Sequence, residues 1–315
     1  MDASISIERI REAAGVVDPA FLNTPQFDCE PITDRLGVGT ILKIEIVNPI
    51  RNFKGRGTDF LMHRLGAATQ SIVCASAGNF GQGMAYACRR RGIPITVFAA
   101  TAASPLKVER MRALGANVIL EGGDFDQAKD AARRHAAEHA ELYIEDGGPG
   151  AIAEGAGTIA LELTRSFDLD AIFVPLGNGA LVNGVGTWIQ NASPETRVIA
   201  VCAEGAPSMA LSWRQRKAVA ADSSTIADGI AVRVPVPDAV EIMATTVDEV
   251  MLVSDEEMLK WMRHLLAATG LVVEPSGAAG VAAIARVAAE WKGSRLATII
   301  TGGNLTEPQI REWLY

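Results

Sequence analysis

The sequence has few aromatic residues, 5% of its 315, and only four cysteines. Cys29, Cys74, Cys88 and Cys202 stand far apart with no CxxC pair, which argues against a disulfide framework or a structural zinc site. No apolar run reaches the ~18 residues that a membrane-spanning helix needs. The opening MDASISIERIREAAG reads as a polar helix without an apolar signal core, so a cytoplasmic, reducing setting is expected. No basic stretch offsets the acidic balance either. With 29 Lys and Arg against 37 Asp and Glu, the net charge is −8, and neither nucleic acid nor an anionic membrane is an expected partner. There is no internal repeat, low-complexity tract or Pro-rich linker.

What the chain does have is alternation. Short apolar, β-branched runs recur at 41–47, 71–76, 95–100, 117–122, 171–177, 197–204 and 296–303. Between them lie GQGMAYACRRRG, SPLKVERMRALG, FDQAKDAARRHAAEHA and GTIALELTRSF, each long and periodic enough for a helix. Strands that are apolar throughout, alternating with helices, predict an α/β fold whose parallel sheets are covered by helices on both faces. The length suits two lobes of roughly 100–200 residues. Ligands of such sheets bind at the carboxyl ends of the strands, where the glycine-rich turns fall here.

Three segments carry candidate chemistry. In NPIRNFKGRG (48–57) a single lysine, Lys54, follows Phe53. A catalytic lysine needs partial desolvation, which an aromatic neighbour helps to provide, although a surface lysine in a loop would read the same way. SAGNFGQG (76–83) follows a strand and opens a helix, so bare backbone amides can meet an anion at a helix N-terminus. VPLGNGALVNGVG (174–186) repeats that arrangement and lacks the glycine spacing of a dinucleotide fingerprint. Two anion sockets in one chain favour a phosphorylated cofactor over turn chemistry alone.

Taken in order, these motifs resemble the fold-type II pyridoxal-5′-phosphate (PLP) enzymes, in the branch of the serine/threonine dehydratases and serine racemase. LKVERMRALGANVIL (106–120), EGAGTIALEL (154–163), TIADGIAV (225–232), VVEPSGAAG (272–280) and ITGGN (300–304) extend the resemblance over nearly the whole chain. It implies a two-lobe, tryptophan synthase β-like protein, with a large PLP-binding domain from 1–68 and 148–315 and a small domain from 69–147. The implied activity is an ammonia-lyase (dehydratase) acting on a small β-hydroxy amino acid: serine, threonine or 3-hydroxyaspartate. A threonine synthase-like or β-replacement enzyme and an amino-acid racemase are the alternatives, and a homodimer is expected.

The resemblance also implies roles. Lys54 would be the Schiff-base lysine and the base that removes the Cα proton. Gly177, Asn178, Gly179, Ala180 and Leu181 would cradle the phosphate, Asn79 would bond the 3′-oxygen, Thr301 would face the pyridine nitrogen, and Phe53 would pack near the ring. Ser76, Ala77, Gly78 and Asn79 would bind the substrate carboxylate. Ala77 stands where serine racemase has a second acid–base serine, which favours elimination over racemisation. Arg51 and Asn52 depart from the Gly and Ser usual before the lysine, and Phe80 from the usual His. Arg51 is a candidate contact for a second substrate carboxylate, although a loop arginine is more often solvated. Glu204 matches one ligand of the branch's optional divalent-cation site. GAPSMALS supplies no second carboxylate, so no bound metal is expected. His135 and His139, four apart on a charged helix, read as a solvated face, and the cysteines read as small buried hydrophobes.

Overall fold

The computed structural model describes residues 3–66 and 68–315. Its strands form two sheets. Six belong to the larger one: β1 (Gln26–Asp28), β2 (Gly39–Ile44), β7 (Ala171–Pro175), β8 (Arg197–Ala203), β9 (Glu249–Val253) and β10 (Arg295–Ile300). Their order is β1-β2-β10-β7-β8-β9, parallel except for the antiparallel edge strand β1. The smaller sheet is wholly parallel in the order β5-β4-β3-β6, with β3 (Ile72–Ala75), β4 (Ile95–Ala99), β5 (Asn117–Leu120) and β6 (Leu142–Ile144).

Among the described residues the helices are α1 (Ile7–Val16), α2 (Glu30–Leu36), α3 (Lys54–Leu65), α4 (Asn79–Arg91), α5 (Pro105–Ala113), α6 (Phe125–Glu138) and α7 (Gly150–Ser166). There follow α8 (Ala180–Ala192), α9 (Ser208–Gln215), α10 (Pro237–Thr246), α11 (Asp255–Thr269), α12 (Pro275–Val287) and α13 (Glu307–Leu314). None is long and apolar enough to cross a membrane. Seven of the strands coincide with the apolar runs read from the sequence. The three others, β1, β6 and β9, are short or carry polar residues, so period and composition do not mark them.

The continuous apolarity of the strands has a direct cause. Along β7, Ala171 and Phe173 enter one core while Ile172 and Val174 enter another on the opposite face. β3 does the same, with Ile72 and Cys74 on one side and Val73 and Ala75 on the other. Both faces are dry, so alternation has no place. Each fully buried Ile, Val or Phe among them contributes about 1.5–3 kcal/mol. All four cysteines are buried and unpaired, and burial pushes the Cys88 and Cys202 thiols up to about 12.

Helix α7 begins seven residues before the sequence pattern suggests. Its glycines cost propensity but allow backbone contact: a side chain on Gly155 would collide with the Arg56 backbone, and one on Gly184 of α8 with Ala153. Close helix–helix packing therefore wins over local preference.

The topology selects where the two sheets can hold a ligand. In the smaller sheet the chain leaves β3 towards β4 and returns on its other side as β6. In the larger sheet β7 runs on to β8, while β10 arrives beside it from the far end of the chain. Crevices open at such switch points, at the carboxyl ends of the strands. The four loops there are 76–78, 145–149, 176–179 and 301–306.

Candidate functional site

These loops converge on one cavity of about 430 Å³, within the usual range for a small-molecule site. Every residue that the resemblance assigns to the cofactor or to the substrate's α-carboxylate lines it: Phe53 and Lys54, the loop 76–79, the loop 177–181, and Thr301. Arg51 does not. It is exposed, in a left-handed turn with φ 52°, and its backbone is what the fold uses: its N–H donates to the Asn48 carbonyl and its carbonyl accepts from Gly303 N–H. A contact from Arg51 to a second substrate carboxylate therefore has no support in the geometry.

Lys54 is the first residue of α3. The Asn52 side chain fixes it there, since its Oδ1 accepts from Lys54 N–H at 3.0 Å and its Nδ2 donates to the Ile50 carbonyl at 2.7 Å. Phe53 N–H donates to the Thr301 carbonyl, and Asn52 pairs with Gly302, which ties the lysine to the end of β10. The departure at Asn52 is thus structural. The Lys54 ammonium lies 5.2 Å from the Phe53 ring centroid and 5.7 Å from that of Phe80. It donates to both oxygens of Asp146, at 2.8 and 2.6 Å.

Two helix N-termini point into the cavity. At α4 no side chain caps the first turn from the cap position, but Ser76 Oγ accepts from Gly78 N–H at 3.2 Å and Gly81 N–H at 2.9 Å. Ser76 therefore shapes the loop and keeps its own hydroxyl proton to donate. At α8 the cap residue Gly179 has φ 94° and no side-chain cap exists, so the first-turn amides are unmet by protein side chains. Gly177 has no room for a Cβ, which would lie 2.7 Å from the Gly229 carbonyl.

Asn79 is oriented by its neighbours. Its Nδ2 donates to Glu274 Oε1 at 2.7 Å, and its Oδ1 accepts from Asn304 Nδ2 at 2.8 Å, which leaves one Nδ2 proton for a ligand. Burial raises the Glu274 carboxyl above its ordinary value, although Lys107 works against this. Lys107 itself pairs with Asp228 across the cavity. Desolvation lowers the Lys107 ammonium, but Asp228 and then Glu274 hold it above its ordinary value.

Asp146, Lys107, Asp228, Glu274 and Ser276 belong to this site and were not singled out from the sequence. Glu274 and Asp228 sit within motifs that carry the resemblance, so their position was available. Asp146 follows β6, which sequence periodicity does not reveal.

Elsewhere, Glu204 is engaged by Arg286 at 2.7 Å, and the same guanidinium binds Glu257 at 2.5 Å. A protein cation thus occupies the carboxylate. His135 and His139 stack with ring centroids 4.1 Å apart, and His135 faces Glu141 at 3.2 Å. Among the described residues no group of three metal-binding side chains occurs.

The comparisons with known proteins agree with this geometry. The chain matches the family described as pyridoxal-phosphate dependent enzyme over residues 17–302. It is 34% identical to an L-threonine ammonia-lyase of Thermotoga maritima, over 96% of this chain and 76% of that protein. Its fold is similar to processed threonine deaminase isoform 2 of Solanum lycopersicum, with TM-score 0.90, 27% identity, and 99% and 89% of the two chains covered. Maize serine racemase gives TM-score 0.91 at 27% identity, covering 98% and 96%.

The cavity fits PLP on its own terms. An uncapped helix start with bare glycine backbone suits a phosphate, and Lys54 supplies the amine that an aldehyde requires. Ser276 Oγ, 3% exposed and without a protein partner, leaves a hydroxyl for a polar ligand. A phosphorylated aldehyde is what these groups can hold together, and the chain belongs to the pyridoxal-phosphate-dependent enzymes.

Proposed function

We propose that this PLP-dependent lyase dehydrates serine and threonine to 2-oxo acids with release of ammonia. The observation that carries the reading is the Lys54 amine placed in one cavity with two helix N-termini, that of α8 uncapped and that of α4 met only in part by Ser76. The relatives named as threonine ammonia-lyase and threonine deaminase support threonine among these substrates.

When bound, PLP would supply an electron sink for the α-carbon of an amino acid joined to it through its amine. The chain's residues do the rest. The first-turn amides of α8, with Gly177 to Leu181, hold the phosphate. The first-turn amides of α4 that Ser76 does not engage, with the Ser76 hydroxyl, hold the substrate carboxylate, where the helix dipole favours an anion. Asn79 would offer its remaining proton to the ring oxygen, and Thr301 would offer a hydroxyl to the ring nitrogen. A hydroxyl does not keep that nitrogen charged as a carboxylate would. Phe53 and Phe80 shield the amine from water. Lys54 removes the α-proton, and the β-hydroxyl leaves as water once protonated. The unsaturated amino acid released then hydrolyses to a 2-oxo acid and ammonia. Ala77 has no proton to transfer, so the reaction is one-sided and runs to elimination.

The same reading takes 1–68 with 148–315 as the cofactor domain, 69–147 as a small domain that covers the substrate, and a cytoplasmic homodimer as the active unit. Its partner is a small amino acid rather than nucleic acid or membrane, in keeping with the net charge of −8. A panel of hydroxy amino acids and O-phosphohomoserine, scored for 2-oxo acid, ammonia and phosphate, tests the function. Serine and threonine are expected to give 2-oxo acid. Phosphate release without 2-oxo acid points instead to a threonine synthase-like enzyme.

A further inference from the structure

The carboxylates that line the cavity are nearly all neutralised by the protein. Glu145 is held by Lys129 at 3.2 Å and Arg133 at 2.8 Å. Asp124 and Asp126 face Arg233, and Asp228 faces Lys107. Glu274 accepts from the Asn79 side chain and from Asn304 N–H. Asp146 differs. Among the described residues its cationic partner is Lys54, and its other contact is Asn178 Nδ2 at 3.4 Å.

That pairing does not survive function. Once Lys54 is bonded to the cofactor, its nitrogen is no longer an ammonium available to Asp146. When Lys54 is released to take a proton, it must be neutral. At that second moment, among the described residues, the Asp146 carboxylate lacks a protein counter-charge. It also has little freedom to turn away. Gly147 has φ 85°, and a Cβ there would lie 2.7 Å from the Asn178 carbonyl, so the loop is seated on the phosphate-binding turn. A base works at about 3 Å from the atom it deprotonates. Asp146 and Lys54 line the same cavity, and their 2.6 Å contact puts the carboxylate on the side from which the lysine acts, facing a group on the β-carbon.

We propose that Asp146 is a specificity-determining residue that selects amino acids bearing a hydrogen-bond donor or a cation at the β-carbon, a hydroxyl or an ammonium, and rejects a second carboxylate. This deepens the dehydratase reading and rests on it. With a β-ammonium, as in 2,3-diaminopropionate, the Cα–H and Cβ–N bonds break and ammonia leaves in place of water. Hydrolysis of the same unsaturated product then gives pyruvate and a second ammonia, so no oxidant or further reactant is needed. With 3-hydroxyaspartate, two carboxylates would meet in a partly desolvated site.

The test compares PLP-loaded wild type and Asp146→Asn on serine, 2,3-diaminopropionate and 3-hydroxyaspartate. The ratio of kcat/KM for diaminopropionate over hydroxyaspartate is expected to fall on the order of 10- to 100-fold in the variant, the usual weight of a charge-assisted contact. An unchanged ratio with serine turnover retained overturns the proposal. So does a wild type that prefers hydroxyaspartate to serine, whatever the variant does. Calorimetric binding of 2,4-diaminobutyrate and aspartate, neither of which offers a β-leaving group, gives a readout apart from turnover. Tighter binding of the diamine is expected in wild type, and tighter binding of aspartate overturns the proposal. If no substrate turns over, the dehydratase reading fails while calorimetry still decides the charge preference.

Discussion

Lys54 and Arg56 sit two residues apart at the start of one helix, yet they belong to opposite kinds of charged site. Arg56 is wholly buried. Its guanidinium donates to both oxygens of Glu45, at 2.8 Å each, and of Glu162, at 2.6 and 2.9 Å, and also to Thr158 and Thr24. Lys43 completes the cluster by donating to Glu162 at 2.5 Å. Two cations meet two carboxylates, every donor of the fork is used, and none of the four lines the site cavity. Lys54 meets one carboxylate beside open volume. Charge that the protein itself saturates holds the fold; charge left partly open is available for chemistry.

The sharpest way to break this contrast is to remove each residue in turn. Lys54→Ala is expected to lower kcat by roughly 10⁴-fold or more, because base and covalent attachment go together. The visible absorbance of the PLP-loaded protein should vanish while the far-ultraviolet circular dichroism is kept. Borohydride reduction and peptide mapping that put the label on another lysine would overturn the assignment. Arg56→Met should do the reverse. It strands Glu45 and Glu162 as buried, under-paired carboxylates and is expected to cost about 3–5 kcal/mol of stability, read by urea unfolding.

The buried cluster also sets a pH sign. Desolvation raises the Glu162 carboxyl, but the Arg56 guanidinium, and after it Lys43, hold it below its ordinary value. A depressed folded value means the contribution is present above the unfolded carboxyl value of about 4.3 and is lost as pH falls through and below it. Unfolding measured from pH 6 down to 3 should show this loss, and Glu162→Gln should lack that part of it. An acid response identical in wild type and variant would place the sensitivity elsewhere.

The sequence makes the two regions unequally legible. NFKGRG and the glycine turns announce bare backbone next to a lysine, because few other residues tolerate those positions. The partners of Arg56 lie 11 residues before it and 106 after it, and no local pattern joins them. The same holds within the site. Asn79 is visible in its motif, whereas the contacts that orient it come from Glu274 and Asn304, 195 and 225 residues on. Asp146 was hidden for another reason: β6 has three residues, too few to show a period. Strand alternation led correctly to covered parallel sheets, since dry faces on both sides leave an unmistakable apolar run. The glycines of α7 misled, because packing against α3 and α8 outweighs their poor helix propensity.

If open sites tolerate new chemistry where saturated ones do not, position 77 is the place to test it. Ala77 lines the cavity in the loop after β3 and carries no titratable group. Wild type should eliminate at least ~10-fold faster than it racemises, and Ala77→Ser should raise the racemisation of serine by roughly 10- to 100-fold, the low side of what a placed acid–base supplies. Racemisation is followed by chiral chromatography of recovered serine. Equal racemase and dehydratase rates in the wild type would contradict the one-sided site.

The smallest effect belongs to a third kind of charge, at the mouth of the cavity. Arg233 follows the motif 225–232 and reaches across to Asp126 at the start of α6, with Nε at 2.8 Å from Oδ2. Beside the pair, Phe125 is 43% exposed and Val234 47%. Both partners are accessible to water, so the pair is screened and costs side-chain entropy to hold. It differs from Arg56 in burial and from Lys54 in distance from the reacting atoms. Arg233→Ala is therefore expected to change kcat/KM for serine by less than about fivefold, and raised salt should shrink the difference between variant and wild type. A loss approaching that of Lys54→Ala would show that closing the mouth limits turnover. The division into saturated, open and screened charges would then need a fourth class, in which a surface pair governs access to the chemistry.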